Sequence, residues 1–312
     1  MPNTKDLRRR IKSVKNTSQI TRAMQMVSAT KMRKAQAQAL SSRPYADLLS
    51  RALSLISSQG GQYSHYLLEE KDSESVGIVL FSTDKGLCGG LNTNLIRKIQ
   101  SEELRIKNSG KKVVYYTVGK KGRDFLVRTE KNLKADFENP EHAHFVSAIN
   151  IRKFLTLEFK SNLTGEVYLL YPDFISTLRQ EPKLVKILPI DPDQIKEEIN
   201  FVIASEQGAR SNLSEITSSQ TPRNDESGDF LFEPNVASLL DYALNHFLDI
   251  QIYKAYLETR ASEHSARMIA MQNATDNAKE LVTDLTLTYN QVRQENITRE
   301  LLEITSAGAA LE

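Results

Sequence analysis

Residues 236–305 read VASLLDYALNHFLDIQIYKAYLETRASEHSARMIAMQNATDNAKELVTDLTLTYNQVRQENITRELLEIT. This stretch contains no proline and no glycine, and Glu233-Pro234-Asn235 immediately before it is a helix start signal. At 1.5 Å per residue, a helix of this length spans about 105 Å, more than a compact domain of this size can enclose. The sequence therefore predicts one continuous helix, much of which projects from the rest of the chain.

Apolar residues recur along this helix with a period of seven. One series takes every seventh position over 236–299, and a second does so over 240–303. Eight of the ten positions in the first series and six of the ten in the second are apolar. This is the heptad seam of a left-handed supercoil, which requires a partner helix. Beyond residue 292 the apolar stripe moves sideways, so the last turns face another surface.

A second long helix is predicted at the N-terminus, where Asn3 or Thr4 can cap its first turn. Many Ala, Ser and Thr residues lie between its apolar positions, and such small side chains let two helices approach closely. Pro44 interrupts the pattern and is expected to kink the helix, which then continues to about Ser57. Its length would be roughly 80 Å.

Between the two helices, short apolar runs alternate with helical patterns, which predicts a small α/β domain with a mainly parallel sheet. The predicted strands are Val76–Phe81, Val113–Val118 and Glu166–Tyr171, with an edge hairpin of Phe174–Leu178 and Lys183–Ile187. The predicted helices are Asn92–Asn108, Lys120–Arg128 and Phe145–Lys160. The chain thus divides into an N-terminal coiled-coil helix (1–57), a linker (58–75), the α/β domain (76–190), a polar linker (191–233) and a C-terminal coiled-coil helix (234–312).

The order of these parts determines their geometry. The first helix ends where the α/β domain starts and the last helix begins where the domain finishes, so the two helices can pair only in antiparallel orientation. Since the last helix is the longer one, roughly 24 Å of it is expected to extend beyond its partner as a single rod.

The composition limits the kind of protein. The chain has 312 residues, 26% of them charged, and its net charge of +2 predicts no partner. The one cysteine excludes an intramolecular disulfide and fits a reducing compartment. No apolar run is long enough for a membrane span or a signal peptide, so we expect a soluble, unprocessed protein.

Candidate chemical sites are few. The segment Asp84–Gly90 follows a strand and precedes a helix, as phosphate loops do, but it lacks their glycine spacing and is more typical of a tight turn. A nucleotide-dependent enzyme using this loop remains an alternative, which unaided ATP hydrolysis by the purified chain would support. Cys88 has no histidine near it in sequence, which favours a packed residue over a nucleophile.

The remaining polar candidates favour structural interpretations. Glu141–His144 contains two histidines, but without further His or Cys clusters it is more typical of a solvated loop than of a metal site. His264 lies in the heptad seam and is interpreted as a tolerated polar interruption. Glu263, Asp276 and Glu280 are interpreted as parts of a solvated helix face. The residues predict no cofactor, no metal and no catalytic group.

Residues 1–40 are strongly basic, with ten Lys or Arg and one acid, Asp6, giving a net charge of +9. Nucleic acid is one possible partner, and a gel shift with a steep salt dependence would support it. No aromatic residue precedes Tyr45, so the helix offers no platform for stacking on bases. An acidic protein surface explains the charge equally well.

Three blocks of sequence, one near each end and one in the middle, together resemble the γ subunits of F-type ATP synthases. The N-terminal block is Ile11–Thr17, Ile20–Val27 and Lys31–Lys34; the middle block is Gly86–Asn92; the C-terminal block is Ala261–Met268, Met271 and Ala274–Ala278. The resemblance implies an antiparallel coiled coil of the terminal helices with a Rossmann-like α/β domain at its base. It implies a non-catalytic rotor shaft within a ring of three α and three β subunits, attached by its foot to ε and to the membrane ring of c subunits.

The resemblance also implies particular contacts and a location. Met24, Arg267 and Gln294 would lie at the catch with a loop of a β subunit, whose acidic residues would face the basic helix. The loop on the ε and c-ring side of the α/β domain would consist of Gly86, Leu87, Cys88, Gly89 and Gly90. The shaft would couple proton flow to ATP synthesis as a peripheral protein on the cytoplasmic face of the bacterial inner membrane. The linker over 193–228 looks longer than is usual, and the cysteine pair of light-regulated chloroplast members is absent.

Overall fold

The computed structural model describes residues 3–59, 65–140, 145–191 and 236–309, with side chains of the first helix given as far as residue 38. Two long helices, α1 (Thr4–Gln59) and α5 (Val236–Ala309), flank an α/β domain in sequence. The elements of that domain are β1 (Ser75–Phe81), α2 (Leu91–Asn108), β2 (Lys112–Val118), α3 (Lys120–Arg128), β3 (Leu133–Phe137), α4 (Phe145–Lys160), β4 (Glu166–Phe174) and β5 (Gln180–Leu188).

The sheet has the strand order β3-β2-β1-β4-β5, with β1, β2, β3 and β4 parallel and β5 antiparallel to β4. This confirms the predicted mainly parallel sheet with an antiparallel edge. The prediction missed β3, whose five residues alternate between half-buried and exposed because it is an edge strand. The predicted separate strand Phe174–Leu178 was wrong: β4 continues to Phe174, and residues 175–179 form the loop before β5. Strand β4 can pass through Pro172 because its pairing with β1 ends at Leu170, so a backbone N–H missing at Pro172 is tolerated.

Each face of the sheet is covered by helices, which explains why β1 is an unbroken apolar run. One core contains Ile78 and Leu80 of β1 and is covered by α2 and α3. The other contains Val79 and Phe81 and is covered by α4 and the first part of α5. The long C-terminal helix is therefore built into the domain at its base.

Beyond the domain, α5 packs against α1 in antiparallel orientation. The hydroxyls of Thr21 and Thr275 are 2.7 Å apart and buried, and Leu7 near the start of α1 is buried like Val292 far along α5. Up to residue 38, the buried side chains of α1 are mostly small or flexible: Leu7, Thr21, Ser28, Met32 and Ala35. The predicted antiparallel coiled coil with a close-approach seam is confirmed, and α1 does not end at Pro44.

The C-terminal part of α5 extends beyond the coil. Helix α5 has 74 residues and α1 has 56. After Val292, which is 9% exposed, apolar side chains such as Ile297 and Ile304 are 48% and 69% exposed. The segment 293–309 would span roughly 25 Å as a single helix. We call it the overhang, and it has the length that the sequence predicts.

Candidate functional site

The long helix and the α/β domain meet at the carboxyl ends of the parallel strands. Three loops begin there: 82–90 after β1, 138–140 after β3 and 175–179 after β4. We call these loops, together with α5 residues 256–267, the junction. From β1 the chain continues to β2 on one side, and β4 lies on the other side of β1, so the strand order reverses at β1. Doubly wound domains bind ligands at such a topological switch point, outside the carboxyl ends of the strands.

Side chains of α5 occupy this position and bind backbone carbonyls of all three loops. The Tyr256 hydroxyl donates to Glu138 O at 3.0 Å, and its ring packs edge-on against Phe81. The Ser262 hydroxyl donates to Pro172 O at 2.9 Å, and that of Ser265 donates to Thr177 O at 2.7 Å. The crevice is thus filled by the helix itself rather than left open for a small molecule.

A buried ionic cluster lies at the centre of the junction. Glu263 accepts hydrogen bonds from Arg267 Nη2 at 2.7 Å and from Arg260 Nη1 at 3.0 Å. The Glu263 side chain is 3% exposed and both arginine side chains are 10% exposed. Positions three and four residues apart share one helix face, so the three charges form a line along α5. We call them the Arg260–Glu263–Arg267 cluster.

The two arginines also bind the loops. Arg260 Nη2 donates to Asn139 O at 2.8 Å and to Pro140 O. Arg267 donates to Gly86 O through Nε at 3.3 Å and through Nη2 at 3.1 Å. Glu263 therefore holds two guanidinium groups in position for the carbonyls of two different loops.

The glycine-containing loop after β1 presents acceptors, not donors, to this cluster. Carbonyl oxygens of Lys85 and Gly86 face Arg267, whereas a phosphate cradle requires converging N–H groups. Leu87 and Gly89 have φ of 61° and 57°, the left-handed turn conformation that the sequence predicts for this loop. We find no arrangement here that fits a nucleotide phosphate.

Cys88 in this loop is a packed residue. It is 3% exposed, and Asn92 Nδ2 donates to its sulfur at 3.4 Å. Burial raises the pKa of the Cys88 thiol, with smaller opposing effects from Thr83 and Arg267. Because the thiolate is the reactive form, this site disfavours nucleophilic chemistry.

The sequence-based interpretation of Glu263 was wrong. Glu263 is 2% exposed rather than solvated, while Asp276 and Glu280 are exposed as predicted. The heptad pattern describes the side of α5 that faces α1, and Glu263 faces the α/β domain. Its sequence signal is the spacing of Arg260, Glu263 and Arg267, which equally fits ion pairs on a solvated helix face.

His264 is buried in the seam, as its heptad position indicates. It is 8% exposed, and its Nδ1 has no hydrogen-bond partner among the described residues. Burial lowers its pKa to about 4; the negative charge of Glu263 opposes this shift, and the individually smaller effects of Arg267, Arg260 and Lys31 lower the pKa further. His264 is therefore neutral at physiological pH.

The structure places the three predicted β-contact residues at different positions. Met24 is half-buried on α1, close to the level of Thr275, while Gln294 is exposed in the overhang. Arg267 lies 27 residues before Gln294, roughly 40 Å along the helix, and its guanidinium is engaged within the chain. The geometry does not bring Arg267 and Gln294 together, and contact with a β subunit stays a prediction for all three.

The described part of the chain offers little for a cofactor or metal. Within it, no three His, Cys, Asp or Glu side chains cluster as metal ligands. A groove of about 410 Å³ beside the α1–α5 seam has polar or charged residues, such as Arg22, Gln25 and Lys279, at six of its eight lining positions and no aromatic residue, whereas cofactor pockets are lined mainly by hydrophobic and aromatic residues. The histidines of 141–144 and the linker over 193–228 lie outside the described residues. None of the helices described is long and apolar enough to cross a membrane.

Comparison with known proteins gives matches over the full length. A family model described as ATP synthase matches residues 3–311. A protein of Roseiflexus sp. (strain RS-1) named ATP synthase gamma chain is 40% identical over 314 residues, covering 100% of this chain and 99% of its own length. One of the same name from Pelotomaculum thermopropionicum is 38% identical over 313 residues and is covered completely, as is this chain.

Solved structures share the fold. A chain of the Euglena gracilis mitochondrial ATP synthase, in the structure of its OSCP, F1 and c-ring in rotational state 3, aligns with a TM-score of 0.64 at 21% identity, covering 99% of this chain and 94% of that one. A chain from the rotor of the same enzyme in rotational state 1 aligns with a TM-score of 0.60 at 19% identity, covering 94% and 98%. At these identities the likeness concerns the fold: a long helix pair joined to an α/β domain.

Proposed function

The chain belongs to the ATP synthase gamma chain family, and from that premise we propose how its structure serves the central stalk of an F-type ATP synthase. As a γ subunit it is the non-catalytic rotor component of the complex, and ATP chemistry takes place on the β subunits. Rotation of the stalk couples ion flow through the membrane ring to ATP synthesis or hydrolysis in the surrounding ring of α and β subunits.

The observation that carries this function is the uneven helix pair. Three identical catalytic sites differ in conformation only if something makes different contacts with each of them. A shaft made of α1 on one side and α5 on the other, ending in a single helix, presents different surfaces in different directions. Turning it presents each surface to each β subunit in succession, so the three sites change state in sequence.

We propose that the basic surface of α1 faces acidic loops of the β subunits. Nine of the ten basic residues within 1–40 are exposed, namely Lys5, Arg8, Arg9, Arg10, Lys12, Lys15, Arg22, Arg33 and Lys34. Complementary charge orients two surfaces without requiring deep interlocking, which suits an interface that must turn. Met24 on the same helix, Arg267 on α5 and Gln294 in the overhang are the contact residues that the family resemblance proposes. Family membership supports this protein partner over nucleic acid.

The α/β domain is proposed as the foot, bound to ε and to the ring of c subunits, with the 86–90 loop on that side. We propose that the protein lies at the cytoplasmic face of a bacterial inner membrane, which the bacterial sources of the similar proteins support. It would be held there through its partners. If centrifugation after mild cell lysis places this chain in a different fraction from the c subunits, the proposed location is contradicted.

Single-molecule rotation tests the function directly. Ser101 is exposed on α2 while Cys88 is buried, so Ser101→Cys gives a selective attachment point on the α/β domain. A bead attached there, in a complex immobilised through its α and β subunits, should rotate in one direction when ATP is supplied. A complex given a hydrolysis-resistant ATP analogue is the matched control. A bead that stays fixed while the complex hydrolyses ATP contradicts the proposal.

A further inference from the structure

A rotor must transmit torque between its shaft and its foot, and the junction is where they meet. Apolar contact between α5 and the sheet holds the helix against the domain but is not directional, so it offers little resistance to rotation of the helix about its own axis. Hydrogen bonds have preferred distances and angles, and those from charged donors are about twice as strong as neutral ones. The groups that resist twisting are therefore the polar ones.

Arginine side chains make contacts between helix α5 and the α/β domain at two levels. At the lower level, Arg152 of α4 donates to Asp249 at 2.7 Å and to Asn245 at 2.8 Å. At the upper level, the Arg260–Glu263–Arg267 cluster binds the loops after β1 and β3. The two levels, centred on residues 249 and 263, are roughly 21 Å apart along the helix. Two separated attachments resist tilting as well as twisting.

The upper attachment depends on Glu263 because it is the carboxylate between the two arginines. Without its charge, two guanidinium groups that are nine-tenths buried would lose their counter-ion. Each would then be free to turn away from its loop carbonyl. Arg260 reaches the loop after β3 and Arg267 the loop after β1, so the one carboxylate governs the attachment of both.

We propose that the Arg260–Glu263–Arg267 cluster is the clamp that makes the shaft and the α/β domain turn as one body, with Glu263 as its positioning residue. The proposal rests on the rotary function above and adds to it a site of torque transmission. In this protein, helix α5 occupies the crevice in which other doubly wound domains bind a small molecule.

The first test measures the clamp without reference to rotation. Cys88 is the one cysteine of the chain and is buried in the loop that Arg267 holds, so its reaction with a thiol reagent reports opening of that loop. In the purified full-length chain, Glu263→Gln is expected to raise the labelling rate by roughly tenfold, since local opening sets the access of buried groups. Glu280→Gln, which changes an exposed acid on the same helix, is the control and should leave the rate unchanged.

The second test measures transmission in the assembled complex. Ion pumping per ATP hydrolysed is expected to fall in Glu263→Gln and to stay at the wild-type value in Glu280→Gln. Arg267→Lys provides a milder variant in case Glu263→Gln does not assemble, because lysine keeps the charge but cannot donate in the forked geometry that reaches both Glu263 and Gly86. It should give an intermediate labelling rate and an intermediate pumping ratio.

The outcomes separate this proposal from the rotary function. An unchanged Cys88 rate in both variants overturns the clamp. A faster rate with an unchanged pumping ratio shows a loop contact that does not transmit torque, and this also overturns the proposal. If the wild-type complex fails to pump ions at all, the rotary function fails, while the labelling result still decides whether Glu263 holds the loop.

Discussion

From Met271 to Val292 the buried side of α5 packs on α1 through small and medium-sized side chains, whereas between Asp249 and Arg267 the same helix binds the α/β domain through charges. In the paired shaft, two neutral hydroxyls, those of Thr21 and Thr275, are in contact. In the junction, a carboxylate contacts two guanidinium groups.

The difference follows from what each region must do. Small side chains on a periodic seam keep the helix pair slender enough to turn inside a ring, and they tolerate local adjustment. The junction must stay fixed, and buried ionic groups specify one arrangement because any other leaves a charge unpaired. We therefore expect substitutions in the junction to destabilise the chain more than substitutions in the shaft.

Glu263→Ala should have the largest effect on stability. Removing the carboxylate leaves Arg260 and Arg267 buried without their counter-ion, which is expected to lower the free energy of unfolding by about 3–5 kcal/mol. Urea denaturation of the purified chain measures this. Asp276→Ala removes an exposed acid from the same helix and should cost less than about 0.5 kcal/mol. Equal effects of the two substitutions would mean that junction and shaft do not differ as proposed.

Acid should lower the free energy of unfolding through His264, which lies where the junction meets the paired shaft. Its pKa is lowered to about 4 in the folded chain, so between pH 6.5 and pH 4 the unfolded chain binds a proton that the folded chain does not. The contribution is fully present above pH 6.5 and is lost as the pH falls. Between pH 7 and pH 5 the free energy of unfolding should decrease by about 2 kcal/mol.

His264→Met isolates this effect, because methionine fills the seam without a titratable group. Between pH 7 and pH 5, the free energy of unfolding measured by urea denaturation should decrease less in the variant than in the wild-type chain. The difference between the two decreases is the contribution of His264. If the two chains show the same pH dependence, the loss of stability comes from other groups, and His264 is not held neutral by its surroundings.

The contrast also explains which features the sequence predicts. A heptad repeat sustained over the whole C-terminal helix predicts its length, its partner and its overhang, because periodicity averages over exceptions such as His264. The apolar run of β1 likewise predicts a buried strand. The burial of Glu263 was not predicted because the loops that its partners Arg260 and Arg267 bind lie more than 100 residues away in sequence, and no local pattern encodes them. The edge strand β3 was missed for a different reason: two of its five residues are exposed and three are half-buried, so it forms no continuous apolar run.

Within the shaft, the Thr21–Thr275 pair should have a modest effect. Thr21→Val removes one partner of a buried hydroxyl contact, but the Thr275 hydroxyl still donates to Met271 O at 2.7 Å. We expect a loss of about 1 kcal/mol in the free energy of unfolding, and less in the double variant Thr21→Val/Thr275→Val, where no hydroxyl is left behind. A double-mutant cycle by urea denaturation measures the coupling. A loss as large as that of Glu263→Ala would contradict the proposed difference.

The smallest effect on stability is expected at Gln294, and it separates folding from function most clearly. Gln294 is exposed in the overhang, so Gln294→Ala should change the free energy of unfolding by less than about 0.5 kcal/mol. If its side chain contacts a β subunit as proposed, ATP synthesis by the assembled complex should nevertheless fall. Thr298→Ala, one turn further along the same exposed helix, is the matched control. Equal ATP synthesis in the two variants would mean that the Gln294 side chain does not contact a β subunit. An exposed residue that does not stabilise the chain can affect coupling only by contacting a partner.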